Sequence, residues 1–198
     1  MRISSLQHKL QKLPRILIYK KTNVPLEYTF PHKIVMNDLY NMADTKSGKF
    51  VGHMYGHVKK NYVNDEIYPL VKQCDTFYID ELQIKDGCKR KGYGSEFIKL
   101  AQAESKNQNC NGRVTLVASS FYDVYNPSHI FYRKQGFKTV YEEINKNIDE
   151  CISSHDYTMH VFQPCYMYLP IGDKPPVTKI TKIKNFIKQI LHIKKAPQ

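Results

Sequence analysis

The segment from Asp75 to Ser105 constrains the fold of this chain more than any other stretch. Its apolar residues predict a strand over 75–85 and a helix over 94–105, joined by a short loop that is rich in glycine and basic side chains. Glycine lets the backbone approach a ligand closely, and the free N–H groups at the start of a helix favour an anion. The segment therefore predicts a phosphate site, although a solvated turn has the same composition. The loop residues are Lys89, Arg90, Lys91, Gly92, Tyr93, Gly94 and Ser95.

Predicted elements on both sides of this segment complete a mixed α/β domain. Turn-forming residues at 44–48 separate predicted strands at 33–42 and 49–59, which is typical of an antiparallel hairpin. Antiparallel strands followed by alternating strands and helices predict an α/β domain with a mixed sheet. The remaining predicted elements are a buried strand at 113–119, a helix at 127–135 that ends at Gly136, and strands at 137–143 and 158–169.

The predicted strand over 75–85 changes phase at Asp80 and Glu81. Apolar residues ahead of this pair fall at odd positions, and those behind it fall at even positions. A slip of one residue is what a β-bulge produces, and bulges are frequent beside active sites because they redirect side chains. A strand that is buried on both faces and tolerates a polar pair gives the same pattern. The apolar residues concerned are Phe77, Ile79, Leu82 and Ile84.

The net charge of +12 is concentrated at the two ends of the chain. Residues 1–33 carry +6 and residues 174–198 carry +7, so that residues 34–173 carry only −1. This distribution indicates function in the nearly neutral body, with attachment or solubility roles for the ends. Apolar residues in 178–193 recur at helical spacing between lysines. They predict a basic amphipathic helix that packs on the domain, lies on an anionic membrane or holds an acidic partner.

Length, cysteine spacing and hydropathy exclude several classes of protein. A chain of 198 residues suits one domain. Its five cysteines are widely spaced and form no CxxC pair, which argues against a disulfide framework and against a zinc site. No apolar run is long enough for a membrane-spanning helix, and basic residues interrupt the region where a secretory signal would lie. These features predict a cytoplasmic protein without a bound metal.

The loop sequence Lys89-Arg90-Lys91-Gly92-Tyr93-Gly94 resembles the R/Q-x-x-G-x-G/A signature of the GNAT superfamily of acetyltransferases, with lysine in place of the customary first residue. A second stretch resembles the other CoA-contacting segment of that family: Val114 to Ser119, Asn126, and Phe131 to Phe137. The resemblance covers about residues 33–169. It implies an α/β (α+β) GNAT fold, in which helices flank a mixed, mostly antiparallel sheet whose central parallel strands, the fourth and fifth, splay apart.

The resemblance also implies an activity and a division of the chain. The activity is that of an N-acetyltransferase, with acetyl-CoA or a related acyl-CoA as donor and a primary amine of a small molecule or protein as acceptor, acylated by direct attack. The division is a basic N-terminal extension at 1–32, an acyltransferase domain at 33–170 and a basic amphipathic tail at 171–198. The implied donor-binding residues are the seven loop residues named above, Asn126, Leu82, Gln83 and Ile84. The backbone around Gln83, Ile84 and Lys85 would hold the pantetheine arm.

Acyl transfer to an amine needs a proton acceptor for the amine and ideally a proton donor for the departing thiolate. The resemblance implies Tyr132 as the donor, and an ordinary core tyrosine is the alternative. Asp80 and Glu81 are the implied base, because this stretch faces the acceptor in the family; a pair that merely attracts a cationic acceptor is the alternative. His53 and His57 on the preceding predicted strand are further candidates for the base, since the ordinary pKa of histidine suits that task.

A catalytically silent GNAT domain is the rival hypothesis from another class of protein. Such a domain would bind CoA or a partner, with its basic ends contacting an anionic membrane or nucleic acid. Turnover of acetyl-CoA with a broad panel of amines separates the enzyme from the silent domain. Salt-dependent binding that is lost on removal of the tail would identify the contact with a polyanion.

Overall fold

The computed structural model describes residues 15–28, 33–62, 74–119, 128–156 and 164–170. These residues form two compact units, one built from the described residues up to 59 and from 76 to 117, the other from those at 60–75 and beyond 117. The elements in chain order are β1 (Ile16–Tyr28), β2 (Lys33–Asp44), β3 (Phe50–Tyr62), β4 (Cys74–Ile84), α1 (Tyr93–Asn107), β5 (Val114–Ala118), α2 (Ser128–Lys134), α3 (Glu142–Ser154) and β6 (Cys165–Tyr168).

The first unit contains a sheet in which β1, β2, β3, β4 and β5 lie side by side in chain order. β2 pairs antiparallel with β1 and with β3, whereas β4 and β5 are parallel. A parallel pair needs a crossover connection, and α1 supplies it. The hairpin at 44–48, the strand, loop and helix of 75–105 and the buried strand at 113–119 all form close to their predicted bounds. The mixed sheet with its parallel central pair confirms the predicted fold class.

The core of this unit lies between the sheet and α1. The helix buries Tyr93, Phe97, Ile98, Ala101 and Ser105, which recur at helical spacing along one stripe. Tyr40 and Phe77 of the sheet are almost wholly buried and meet edge to face, with 6.3 Å between ring centroids. An apolar stripe that meets an apolar sheet face explains why this segment of the sequence predicts its own structure.

The parallel pair of β4 and β5 separates soon after it begins. Register partners are Phe77 with Val114, Tyr78 with Thr115 and Ile79 with Leu116, while β4 runs on to Ile84. The later half of β4 therefore has no strand partner on the β5 side within the described residues. This divergence is the predicted splay of the central strands, and it leaves backbone groups of β4 available to a ligand.

β1 is a strand that the sequence pattern does not predict. It spans Ile16–Tyr28 and pairs with β2 along most of its length, with a break in register between Lys21 and Val24. Most of its side chains are exposed. Hydrophobic periodicity arises when one face is buried, and all side chains at 17–23 are exposed, so this half of the strand carries no such signal.

The predicted strand at 137–143 is wrong. Within this stretch only Lys138 makes a bridge, an isolated antiparallel one to Tyr168, and α3 begins at Glu142. The side chain of Asn145 explains the change, because its oxygen accepts a hydrogen bond from the Thr139 N–H at 2.9 Å and its nitrogen donates to the Thr139 carbonyl at 3.0 Å. These bonds occupy the backbone groups that a neighbouring strand would use.

The predictions for the other elements beyond residue 118 are confirmed only in part. The helix predicted at 127–135 is present as α2, and the strand predicted at 158–169 is present as β6. Residues 158–163 of that prediction and the basic tail at 171–198 lie outside the described residues. None of the helices in the described part of the chain is long and apolar enough to cross a membrane.

Candidate active site

The predicted phosphate loop is an exposed connection between β4 and α1. Gly87, Arg90 and Gly92 have positive φ angles of 76°, 62° and 88°, which turn the chain sharply. The side chains of Lys89, Arg90 and Lys91 are all exposed, and a Cβ atom added at Gly87 or Gly92 would meet nothing within 4 Å. The loop therefore combines open space with basic side chains.

The start of α1 carries no cap from any side chain. Gly92 is the N-cap residue, and the first intrahelical bond runs from the Glu96 N–H to its carbonyl at 3.2 Å. The N–H groups ahead of Glu96 have no partner within the helix, and the helix dipole adds partial positive charge at this end. Of the predicted donor-binding residues, Gly94 and Ser95 lie in this first turn. The uncapped turn and the open loop fit a phosphate group.

Tyr93 plays a different part from the rest of the loop, because its side chain is buried. Its phenol donates to Asp44 Oδ2 at 2.7 Å, which ties the start of α1 to the hairpin between β2 and β3. The guanidinium of Arg15 lies 5.1 Å from the centroid of the Tyr93 ring and donates to the Lys91 carbonyl at 3.2 Å. Only the backbone of Tyr93 therefore remains for a donor. The sequence marks Asp44 only as a turn residue and gives no signal for its bond to Tyr93 or for the contacts of Arg15, since these join residues far apart in the chain.

Asp44 accepts several hydrogen bonds as a charged group. The phenol of Tyr93 and the N–H and hydroxyl of Ser47 lower the pKa of Asp44 from 3.8 to about 2. A lowered folded-state pKa means that the carboxylate stabilises the fold above about pH 4, and that this contribution is lost as the pH falls towards about 2.

We expect Asp44→Asn to lower the midpoint of thermal unfolding at pH 7, with the difference from wild type shrinking between about pH 4 and pH 2. Melts at pH 7, 4, 3 and 2.5 measure this. Asp86→Asn is the control, because that carboxyl is 94% exposed and its substitution should leave the midpoint unchanged. If the difference in melting temperature between Asp44→Asn and wild type stayed constant from pH 7 to pH 2.5, the negative charge of Asp44 would not be what stabilises the fold.

The acidic pair on β4 is paired with the two histidines on β3. Only 3% of the Asp80 side chain is exposed, and its Oδ2 atom lies 2.6 Å from His57 Nδ1. Its other oxygen accepts a hydrogen bond from the phenol of Tyr28. Glu81 is 44% exposed, and its Oε1 atom lies 2.9 Å from His53 Nε2. The structure thus brings together all four sequence candidates for the base and adds Tyr28, which lies on the strand that the sequence did not predict.

The placement of these side chains agrees with a change of phase at Asp80 and Glu81. β3 keeps regular register with β2 over residues 52–56, so His53 and His57, four positions apart, lie on one face. Their partners on β4 are adjacent residues, which point to opposite faces in a regular strand. Contact of both acids with one face of β3 is what a slip of one residue between them produces.

The remaining implied donor-binding residues follow the acidic pair on β4, past the point where β5 diverges. Gln83 is exposed, whereas Leu82 and Ile84 are half-buried. Asn126 lies outside the described residues. No group of three or more histidine, cysteine or acidic side chains that could hold a metal ion is found where the structure describes the chain.

Tyr132 belongs to the second unit and is buried there. Its ring packs against Phe131 and Phe137, at centroid distances of 5.0 and 5.5 Å. Burial raises the pKa of the Tyr132 phenol above its ordinary value. The phenol is therefore protonated at neutral pH, as a proton donor must be.

Comparison with known families places the chain in one of them. The model of the acetyltransferase (GNAT) family matches residues 12–137, well over half of the chain. The chain belongs to this family. The match begins ahead of β1, so it includes the strand that the sequence pattern did not predict. No curated protein matches the sequence at a significant level.

Several solved structures resemble the chain at low identity. A Bacillus subtilis acetyltransferase in complex with CoA is 14% identical, over 68% of this chain and 77% of that chain, with a TM-score of 0.42. A streptothricin acetyltransferase from Bacillus anthracis in complex with acetyl coenzyme A is 15% identical, over 83% and 95%, with a TM-score of 0.42. The NatC complex bound to Gag peptide and CoA is 14% identical, over 67% and 70%, with a TM-score of 0.43. TM-scores this low support no conclusion about function.

Proposed function

We propose that this protein is an N-acetyltransferase that passes the acetyl group of acetyl-CoA to a primary amine, of a small molecule or of a protein, by direct attack. The observation that carries the proposal is the uncapped start of α1 behind an open, basic glycine loop, next to the diverging strands β4 and β5. The family membership supports the reaction class.

The first unit supplies groups that suit such a donor. The N–H groups of the first turn of α1, with Lys89, Arg90 and Lys91 nearby, would bind the pyrophosphate. The backbone of Leu82, Gln83 and Ile84 has no strand partner on the β5 side within the described residues, and there it would hold the extended arm as a neighbouring strand would. Bound acetyl-CoA supplies an acyl group that is activated as a thioester. The amine that attacks it must be neutral, because an ammonium has no lone pair.

We propose that Tyr132 donates a proton to the departing thiolate. Its position in the family motif and its protonated phenol support this role. Tyr132→Phe should lower kcat about 10- to 100-fold and leave acetyl-CoA affinity near normal, because only the hydroxyl is removed. Steady-state kinetics with calorimetric titration of acetyl-CoA measure both. Phe131→Leu removes a ring beside Tyr132 without touching its hydroxyl and controls for packing. Equal turnover in Tyr132→Phe and wild type would leave Tyr132 with a structural role only.

A screen of CoA release tests the activity itself. The full chain is incubated with acetyl-CoA and, in turn, polyamines, amino acids, aminoglycosides and peptides with free N-termini, and the released thiol is measured. Release above the rate without acceptor supports the proposal and identifies the acceptor class. Tight binding of acetyl-CoA without release from any acceptor would instead support a silent CoA-binding domain.

The cytoplasmic location and the role of the basic ends are further parts of the proposal. The role of the ends rests on the charge of +7 over residues 174–198. The tail would contact an anionic membrane or an acidic partner, and nucleic acid is the less favoured partner because the charge avoids the body of the protein.

A further inference from the structure

Neighbouring residues decide which ring nitrogen of His57 carries the proton. Nδ1 of His57 lies 2.9 Å from Asn37 Oδ1 and 2.6 Å from Asp80 Oδ2. The amide nitrogen of Asn37 donates to the Val35 carbonyl at 3.2 Å, which fixes the orientation of that amide with its oxygen towards the histidine. Two acceptors therefore face Nδ1, so Nδ1 carries a proton.

A neutral imidazole with its proton on Nδ1 has its lone pair on Nε2. Nε2 of His57 makes no hydrogen bond within the described residues, and 19% of the side-chain surface of His57 is exposed. A basic nitrogen is thus left for a ligand that reaches this face of β3.

Asp80 is arranged to support that histidine rather than to act on a ligand directly. One of its oxygens accepts from His57 and the other from the phenol of Tyr28, whose pKa is raised by burial and by this hydrogen bond. Only 3% of the Asp80 side chain is exposed, so burial rather than a lack of lone pairs keeps an amine from this carboxylate. The carboxylate can stabilise a positive charge that forms on His57.

The second histidine has the opposite arrangement. His53 uses Nε2 to bond Glu81, and that carboxylate is 44% exposed. When Nε2 donates to Glu81, the lone pair of a neutral His53 lies on Nδ1, and its acid is solvated rather than held by a third residue. The two pairs lie on the same strands, yet only the carboxylate that bonds His57 is buried and also bonded by a second residue.

We propose that His57 is the proton acceptor of the reaction, with Asp80, Asn37 and Tyr28 as positioning residues. The inference rests on the proposed function and names the group that makes the amine nucleophilic. As the amine nitrogen bonds to the acyl carbon and the carbon–sulfur bond breaks, one proton passes from that nitrogen to Nε2 of His57. The imidazolium is stabilised by the Asp80 carboxylate and then returns its proton to solvent.

Charged and titratable groups from three strands face this histidine. β4 contributes Asp80 and Tyr78, whose ring centroid lies 5.8 Å from that of His57, and β1 contributes Tyr28. On β3 itself, the Nζ atom of Lys59 lies 3.2 Å from the centroid of the Tyr78 ring. The test therefore uses substitutions at His57 and Asp80 that introduce no new positive charge and leave Lys59 in place.

The test compares variants with the best acceptor from the release screen. His57→Gln should lower kcat/KM about 100- to 10,000-fold at pH 7, with acetyl-CoA affinity within about twofold of wild type. Activity should recover in part at high pH, where the free amine is abundant. Asp80→Asn should lower kcat by about 10- to 100-fold. Tyr55→Phe, on the same strand as His57, is the matched control and should retain full activity.

A second measurement reads the proton directly on the wild-type protein. Nitrogen-15 NMR of the histidine rings should show neutral His57 protonated on Nδ1, and Asp80→Asn should reduce the population of that tautomer. This readout needs neither turnover nor a folded His57 variant.

The outcomes separate the two proposals. A wild-type protein that acetylates no amine removes the proposed function and this inference with it. An active wild type with equal kcat/KM in His57→Gln overturns this inference alone, as does a neutral His57 protonated on Nε2. Loss of activity in His53→Gln with full activity in His57→Gln would transfer the role to His53 and Glu81.

Discussion

Replacing Gly94 with glutamate is expected to weaken acetyl-CoA binding about 100-fold, or roughly 2.7 kcal/mol, without unfolding the protein. Gly94 is the second residue of α1, in the turn whose N–H groups carry no side-chain cap. A carboxylate at this position would bond those N–H groups itself and would repel the pyrophosphate. Calorimetric titration with acetyl-CoA measures the loss.

Two controls separate the effect on binding from an effect on the fold. An acidic side chain in the first turn of a helix is favourable by about 0.3–1 kcal/mol, and glycine within a helix costs about 1 kcal/mol against alanine. The melting temperature of Gly94→Glu should therefore equal or exceed that of wild type. Gly94→Gln has the same size without the charge and should lose less affinity. Unchanged affinity in Gly94→Glu would show that the phosphates do not bind at the start of α1.

Gly52→Ala is expected to destabilise the protein by about 1–3 kcal/mol, which lowers the melting temperature by roughly 2–4 °C per kcal/mol. A Cβ atom at this position would lie 2.3 Å from the Gln83 carbonyl oxygen and 3.2 Å from the Ile84 Cα atom. Both are backbone atoms, so β3 and β4 must move apart to admit it. Thermal unfolding measures the cost.

The matched control is Gly48→Asn in the turn before β3. Gly48 has a φ of +64° with nothing within 4 Å of an added Cβ, and asparagine adopts that conformation more readily than most residues. Its melting temperature should change little. Because Gln83 and Ile84 are also implied to hold the donor, Gly52→Ala should weaken acetyl-CoA binding as well. A wild-type melting temperature in Gly52→Ala would show that β3 and β4 lie further apart than in the structure.

Two errors of the sequence-based prediction, the strand at 137–143 and the omission of β1, have different physical reasons. The first stretch has strand-like composition, but the side chain of Asn145 takes the backbone groups of Thr139 and starts a helix nearby. β1 is held by pairing with β2, and its side chains at 17–23 are all exposed and carry no periodic signal. In both cases a contact formed after the chain folds outweighs the local pattern.

The sequence by itself determined the strand, glycine loop and helix of residues 75–105 and the hairpin before them. These features depend on local turn chemistry and on burial of one face, which are both visible in the order of residues. The candidates for the base came from the family resemblance for the two acids and from the ordinary pKa of histidine for the other two. Only the tertiary structure decided how the candidates differ. Asp80 bonds Tyr28, which is 52 residues away in the chain, and His57, which is 23 residues away. Asn37, on a fourth strand, helps to place the proton of His57 on Nδ1. Hydrogen bonds between strands so distant in the chain leave no spacing rule in the sequence, because their register is set by the assembled sheet.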